Sequence, residues 1–96
     1  MPKKRTTPAL LIAAKVARGI PTNYQLAQLL GVTHNTMTRW NQGVGGPLDP
    51  HAVRLAEMAG LDPGLILARL AAERATDPPT RFAWQQVARR LAAMDH

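Results

Sequence analysis

Four times in 96 residues a polar side chain stands directly before a proline: Thr7 before Pro8, Asp49 before Pro50, Asp62 before Pro63 and Asp77 before Pro78. Each pair marks a helix start. A side-chain oxygen at the N-cap accepts an orphan N–H, and proline at the first helical position gives up a donor that had no partner there. The stops are as regular: Gly19, Gly31, Gly43 and Gly60 each close a run whose apolar positions fall at helical spacing, where a left-handed residue ends a helix without a Cβ clash. Thr22 with Gln25 three later reads as a capping box, and Thr33 as the cap of the run that follows it. Together these marks predict six helices, over residues 8–18, 23–30, 34–42, 50–59, 63–75 and 78–93, with the one real loop at GVGGPL, residues 43–48. The chain is rich in alanine and leucine and poor in valine, isoleucine and aromatics, which favours packed helices over sheet. Its length fits one small domain.

Several function classes drop out. Without a cysteine there is no disulfide, thiolate metal site or cysteine nucleophile. The longest apolar run, Ala9 to Ala14, is far short of the roughly 20 residues of a spanning helix. Lys15 and Arg18 interrupt the stretch after the basic start MPKKR, so no secretory signal is expected, and the chain reads as soluble and cytoplasmic with no membrane partner. His34, His51 and His96 lie on separate elements without a carboxylate at ligand spacing, so no metal is expected. There is no G-x-S-x-G, no G-x-x-x-x-G-K and no acid pair within one helix; the chain reads as no enzyme and as needing no cofactor or small-molecule ligand. Glu57 and Glu73 read as surface charges.

Charge says more when divided by position. Residues 1–48 hold Lys3, Lys4, Arg5, Lys15, Arg18 and Arg39 and no acid, whereas in residues 49–96 arginines and acids balance. A half-chain with no carboxylate to repel phosphate suits a polyanion surface, whose affinity comes largely from counterion release. Basicity that serves only solubility is the plain alternative.

The segment TNYQLAQLLGVTHNTMTRWNQG reads as helix, tight turn, helix. Leu26, Ala27, Leu29 and Leu30 give the first helix an apolar face, small Ala27 allows close approach, and Val32, Met37 and Trp40 recur as one buried stripe on the second. Trp40 therefore reads as core and not as a base-stacking residue. What remains for solvent is His34, Asn35, Thr38, Arg39, Asn41 and Gln42. This set is almost wholly hydrogen-bonding and carries no negative charge. Arginine can bond guanine bidentately, asparagine or glutamine adenine, and a threonine methyl can touch thymine.

On these residues, with WNQG after the second helix and the later run LDPHAVRLAEMAGLDPGLIL, the chain from Leu10 to about Ala71 resembles a Cro/repressor-type (Xre-like) helix-turn-helix domain, its motif at Asn23 to Gln42. The tail LAAERATDPPTRFAWQQVARRL is similar to that of small regulators of filamentous phages and prophages. The resemblance implies an all-α, five-helix lambda-repressor-like DNA-binding domain plus a sixth, C-terminal helix, with the third helix in the major groove of a double-stranded, near-palindromic operator bound by a homodimer. It implies base contacts from Thr33, His34, Asn35, Thr38, Arg39 and Gln42, and backbone contacts from Lys15, Asn23, Tyr24 and Gln28, the last reading equally as an ordinary exposed helix residue. The cluster Lys3, Lys4 and Arg5 reads as a DNA-wrapping arm, a nuclear-import-like match or a disordered soluble tail, and the arm, a further backbone contact, is preferred because the neighbouring helices point to DNA. Lys15 and Arg18, three apart on one face, suit either phosphate or solvent. The chain departs from the pattern in having no basic residue in the loop after the third helix, so glycine N–H groups there are the expected substitute. The first helix is apolar almost all round from Leu10 to Ala17, which predicts a second buried face or a contact with the C-terminal helix.

The organisation expected is an arm at 1–7, a DNA-binding domain at 8–75 and an amphipathic helix at 76–96. On that helix Trp84, Val87, Ala88, Leu91 and Met94 form a three-and-four stripe. The stripe can pack on its own domain or on a second copy. A core exists without it, so dimerisation is the reading preferred, with Phe82, Trp84, Val87 and Leu91 at the interface and the two aromatics as anchors.

Overall fold

A computed structural model of the chain describes residues 6–94. It contains six α-helices and, among the described residues, no strand: α1 (Thr6–Arg18), α2 (Asn23–Leu30), α3 (His34–Asn41), α4 (Asp49–Ala59), α5 (Pro63–Arg74) and α6 (Pro78–Met94). Four of the six expected caps form. Thr22 Oγ1 accepts the Gln25 N–H at 3.1 Å and Thr33 Oγ1 that of Thr36 at 3.1 Å. Asp62 Oδ1 accepts from Gly64 N at 3.2 Å, and Asp77 Oδ2 takes both the N–H and the hydroxyl of Thr80.

Two proline-linked starts are displaced. Thr7 is no cap: it lies inside α1, fully buried, beneath the loop at 43–48, where a Cβ on Gly46 would come within 3.2 Å of its hydroxyl. At the start of α1 the Thr6 N–H donates instead to Glu73 Oε2 of α5 at 3.3 Å. Glu73 is thus half-buried against a helix N-terminus, where a carboxylate is favoured, and is not the plain surface charge expected. In α4 the N-cap is Leu48, with no side-chain bond, and Asp49 is the first helical residue.

One core joins five helices. Leu10, Leu11 and Ala14 of α1 meet Leu26, Ala27 and Leu30 of α2, Met37 and Trp40 of α3, Ala52, Leu55 and Ala56 of α4, and Ile66 and Leu70 of α5. Each large aliphatic side chain fully buried there contributes about 1.5–3 kcal/mol. A smaller cluster sits on the other side of α5, where Leu65 and Ala68 take up Ala88 of α6, with Leu91 and Ala92 alongside. Leu91 lies against Gly64 at the start of α5, so α6 runs back antiparallel along α5 after a connection of residues 75–77.

Three packing expectations fail. The outer face of α1 is not buried, because Ile12 and Val16 are 56% and 77% exposed; only the stripe of Leu10, Leu11 and Ala14 is covered, by the other helices of the core. Leu29, placed on the buried face of α2, is 49% exposed, since the turn at Gly31 brings α3 across the opposite side. Finally, the stripe of α6 is divided, with Ala88, Leu91 and Ala92 on α5 and Trp84, Val87 and Met94 left to solvent. Among the described residues no helix is long and apolar enough to cross a membrane.

Candidate nucleic-acid interface

The turn that sets α3 against α2 is made by Gly31, in the left-handed region at φ 74°. Its N–H returns to the Gln28 carbonyl at 3.2 Å, and the Val32 N–H reaches the Ala27 carbonyl at 3.0 Å, so the chain reverses within three residues. An L side chain at that φ would be strained. Buried Ala27, Met37 and Trp40 then clamp α3 by its inner face, and Trp40 is core, its ring 6.1 Å from that of His51.

The outer face of α3 follows from this clamp. At about 100° per residue, His34, Asn35, Thr38, Arg39 and Gln42 fall within an arc of about 140°, and all five are exposed, as is Thr33 before them. Two hydroxyls on this face are already committed. Thr38 Oγ1 donates to the His34 carbonyl at 3.0 Å, and Thr33 Oγ1 serves the cap and also donates to Thr36 Oγ1 at 2.9 Å. Asn41 leaves the exposed set: it is half-buried and its Nδ2 donates to the Met37 carbonyl at 3.0 Å. The groups left to read a ligand are therefore the His34 ring, the Asn35 and Gln42 amides, the Thr38 methyl and acceptor oxygen, and the Arg39 guanidinium. No carboxylate occurs between Thr6 and Leu48, so nothing on α1 to α3 opposes an anion.

The flank of the face comes from α2 and α1. Tyr24 is exposed, and its ring centroid lies 6.4 Å from that of His34, joining the start of α2 to the start of α3. Lys15 Nζ donates to Asn23 Oδ1, so two residues expected to touch a backbone separately form one unit, with the cation beside the N-terminus of α2. Gln28 is exposed on the same helix. Arg18 does not join them, since its Nε donates to the Met58 carbonyl of α4 at 3.1 Å. In the loop after α3 the N–H groups of Gly43 and Val44 are spent on the carbonyls of Trp40 and Arg39, which leaves the Gly45 and Gly46 backbone for the part given to the glycines. Lys3, Lys4 and Arg5 lie outside the described residues. Both new pairings, Tyr24 with His34 and Lys15 with Asn23, join residues across a turn, and no sequence spacing signals them.

On α6 the expected interface set does not share one face. Trp84, Val87 and Met94 lie exposed along one flank, Leu91, expected with them, is taken up against α5, and Phe82 lies about 160° around the helix from Trp84. Phe82 is 59% exposed on that other side. Among the described residues no three His, Asp or Glu side chains come together as metal ligands would. No model of a known protein family, no curated protein and no solved structure matches the chain.

Proposed function

We propose that the chain is a sequence-specific DNA-binding transcriptional regulator with a lambda-repressor-like arrangement of its helices, of the kind carried by phages and prophages, acting as a homodimer in the bacterial cytoplasm. The observation that carries this reading is the outer face of α3: exposed, hydrogen-bonding, free of carboxylates, and held rigidly from behind by Met37 and Trp40. Rigid placement matters because base readout needs donors and acceptors fixed to a fraction of an ångström before contact.

In this mechanism α3 enters the major groove. Arg39, Asn35, Gln42 and His34 meet base edges, and the methyl of Thr38 meets a thymine. Tyr24, Gln28 and the Lys15–Asn23 pair lie toward the phosphates, where the unpaired N–H groups at the starts of α2 and α3 add positive potential. Two copies, joined through the exposed Trp84, Val87 and Met94 flank of α6, place their third helices about 34 Å apart on successive turns of the duplex. Regulation is by occupancy of a promoter. A second reading, a protein-interaction module on the same scaffold, is favoured by the exposed Trp84, Val87 and Met94.

The test is binding to the DNA upstream of the protein's own gene and to scrambled DNA of equal length at about 50 and 200 mM salt. The regulator reading expects a strong preference for the former, with footprint halves one helical turn apart. Equal, steeply salt-dependent binding to both would make the chain a non-specific coater, and no binding at either salt would leave the interaction module.

A further inference from the structure

Beyond the α3 face, two neighbouring hollows share Thr6 and Arg69 as a common wall. The first, about 330 Å³, is lined on its polar side by Arg69 of α5 and by Gln85 and Arg89 of α6. The second, about 380 Å³, has a floor of Leu10, Ala13, Leu61 and Ile66. Both volumes lie in the range of small-ligand sites, which combine an apolar bed with a few convergent polar groups. The two arginines are brought to one place by the tight antiparallel contact of α5 with α6, where buried Ala72 and Ala88 let the helices close.

Neither Arg69 nor Arg89 has a carboxylate within ion-pair distance among the described residues, where the sole such pair is Arg74 with Asp49. Glu73 of α5 is committed elsewhere, its Oε2 accepting the Thr6 N–H, and no acid lines either hollow. Two guanidiniums lining one hollow with no carboxylate in ion-pair range suit an anionic headgroup.

We propose that this cleft binds a small amphipathic carboxylate, its headgroup between Arg69 and Arg89 with the Gln85 amide, and its hydrocarbon part over Ala9, Ala13 and Leu61. The site is independent of the DNA-binding reading and is tested without DNA. Octanoate is titrated into the full chain while backbone amides are followed by nuclear magnetic resonance. The expected result is a saturable shift centred on Thr6, Ile66, Arg69, Gln85 and Arg89. Octanol, of equal length and uncharged, and the double variant Arg69→Gln, Arg89→Gln should each bind about tenfold more weakly or worse, as loss of charge-assisted bonds implies. Arg54→Gln, an exposed arginine of α4 outside the cleft, should leave the affinity unchanged. Both cleft arginines are exposed, so the variants keep the fold, which an unchanged melting temperature checks. Equal affinity for octanol, shifts centred on Trp84 and Val87 instead, or no saturation would each overturn the proposal.

Discussion

Thr38 spends its hydroxyl proton on the carbonyl one turn back and so offers a ligand a methyl group and an acceptor oxygen, but no donor. Beside it Arg39 has no such commitment. Replacing Arg39 by alanine is expected to weaken binding to the specific site by about 1–3 kcal/mol and to relax preference at one base pair. Equal losses on specific and scrambled DNA, in a titration of both, would make Arg39 a phosphate contact. Thr33 has a different part. Its oxygen caps α3, so Thr33→Ala should lower the stability of the protein by about 0.5–2 kcal/mol in a denaturant melt, and its effect on DNA should follow from that loss. Which side of α3 faces outward is legible in the sequence, because Met37 and Trp40 cannot be anything but inner at their spacing. Which polar atoms remain free is not: Asn41 looks as available as Gln42 until its amide is seen bonded to Met37. Side-chain to backbone bonds of this kind depend on a rotamer that residue identity leaves open.

At the scale of elements, starts and stops are the most readable part of the chain, since capping is a local matter settled within four residues. Asp77 illustrates how much a single cap holds. The Thr80 hydroxyl, and then its N–H, keep the Asp77 carboxyl below the usual aspartate range. A folded-state value below the unfolded one means stability that is present above the ordinary pKa of about 3.9 and lost as pH falls through the depressed value. Acid should therefore loosen the start of α6. Asp77→Asn should remove most of that pH dependence, and a helix signal for α6 that keeps the same acid profile in the variant would rule out the cap as its source. The two displaced starts, at Thr7 and Asp49, are less readable, and for α1 the reason is tertiary: Glu73 supplies the acceptor from α5. Faces are less readable than ends. Phe82 and Trp84 are two apart in sequence, close enough to be taken together, but two residues carry a helix about 200° around. In sedimentation, Val87→Glu is expected to convert a dimer to a monomer, at a cost of about 2 kcal/mol or more if Val87 sits in the centre of the contact. Phe82→Glu should leave the dimer intact. The reverse pattern would put the interface on the other side of α6.

At the scale of the molecule, charge and packing follow different divisions of the chain. The excess of positive charge lies wholly in residues 1–48, and half of those cations precede the described residues. Deleting residues 1–5 should weaken binding to all DNA and flatten the dependence of log K on log salt by about 0.9 for each phosphate that the segment neutralises; an unchanged slope would show that it neutralises none. Packing divides instead along α5, which turns Ile66 and Leu70 toward the main core and Leu65 and Ala68 toward α6. That division is not legible in the sequence, because both faces of α5 are apolar and nothing in their spacing says which neighbour meets which. It has a consequence for how the protein opens. Helix α6 rests chiefly on α5 through a patch of mostly small side chains, so it can detach while the five-helix core stays closed. Its amides should exchange with solvent deuterons by a sub-global opening, sooner than those of Leu11, Leu26 and Leu55, in the manner of an independent cooperative unit. A protein built this way loses its last helix before it loses its shape, and with that helix the flank through which a second copy would be held.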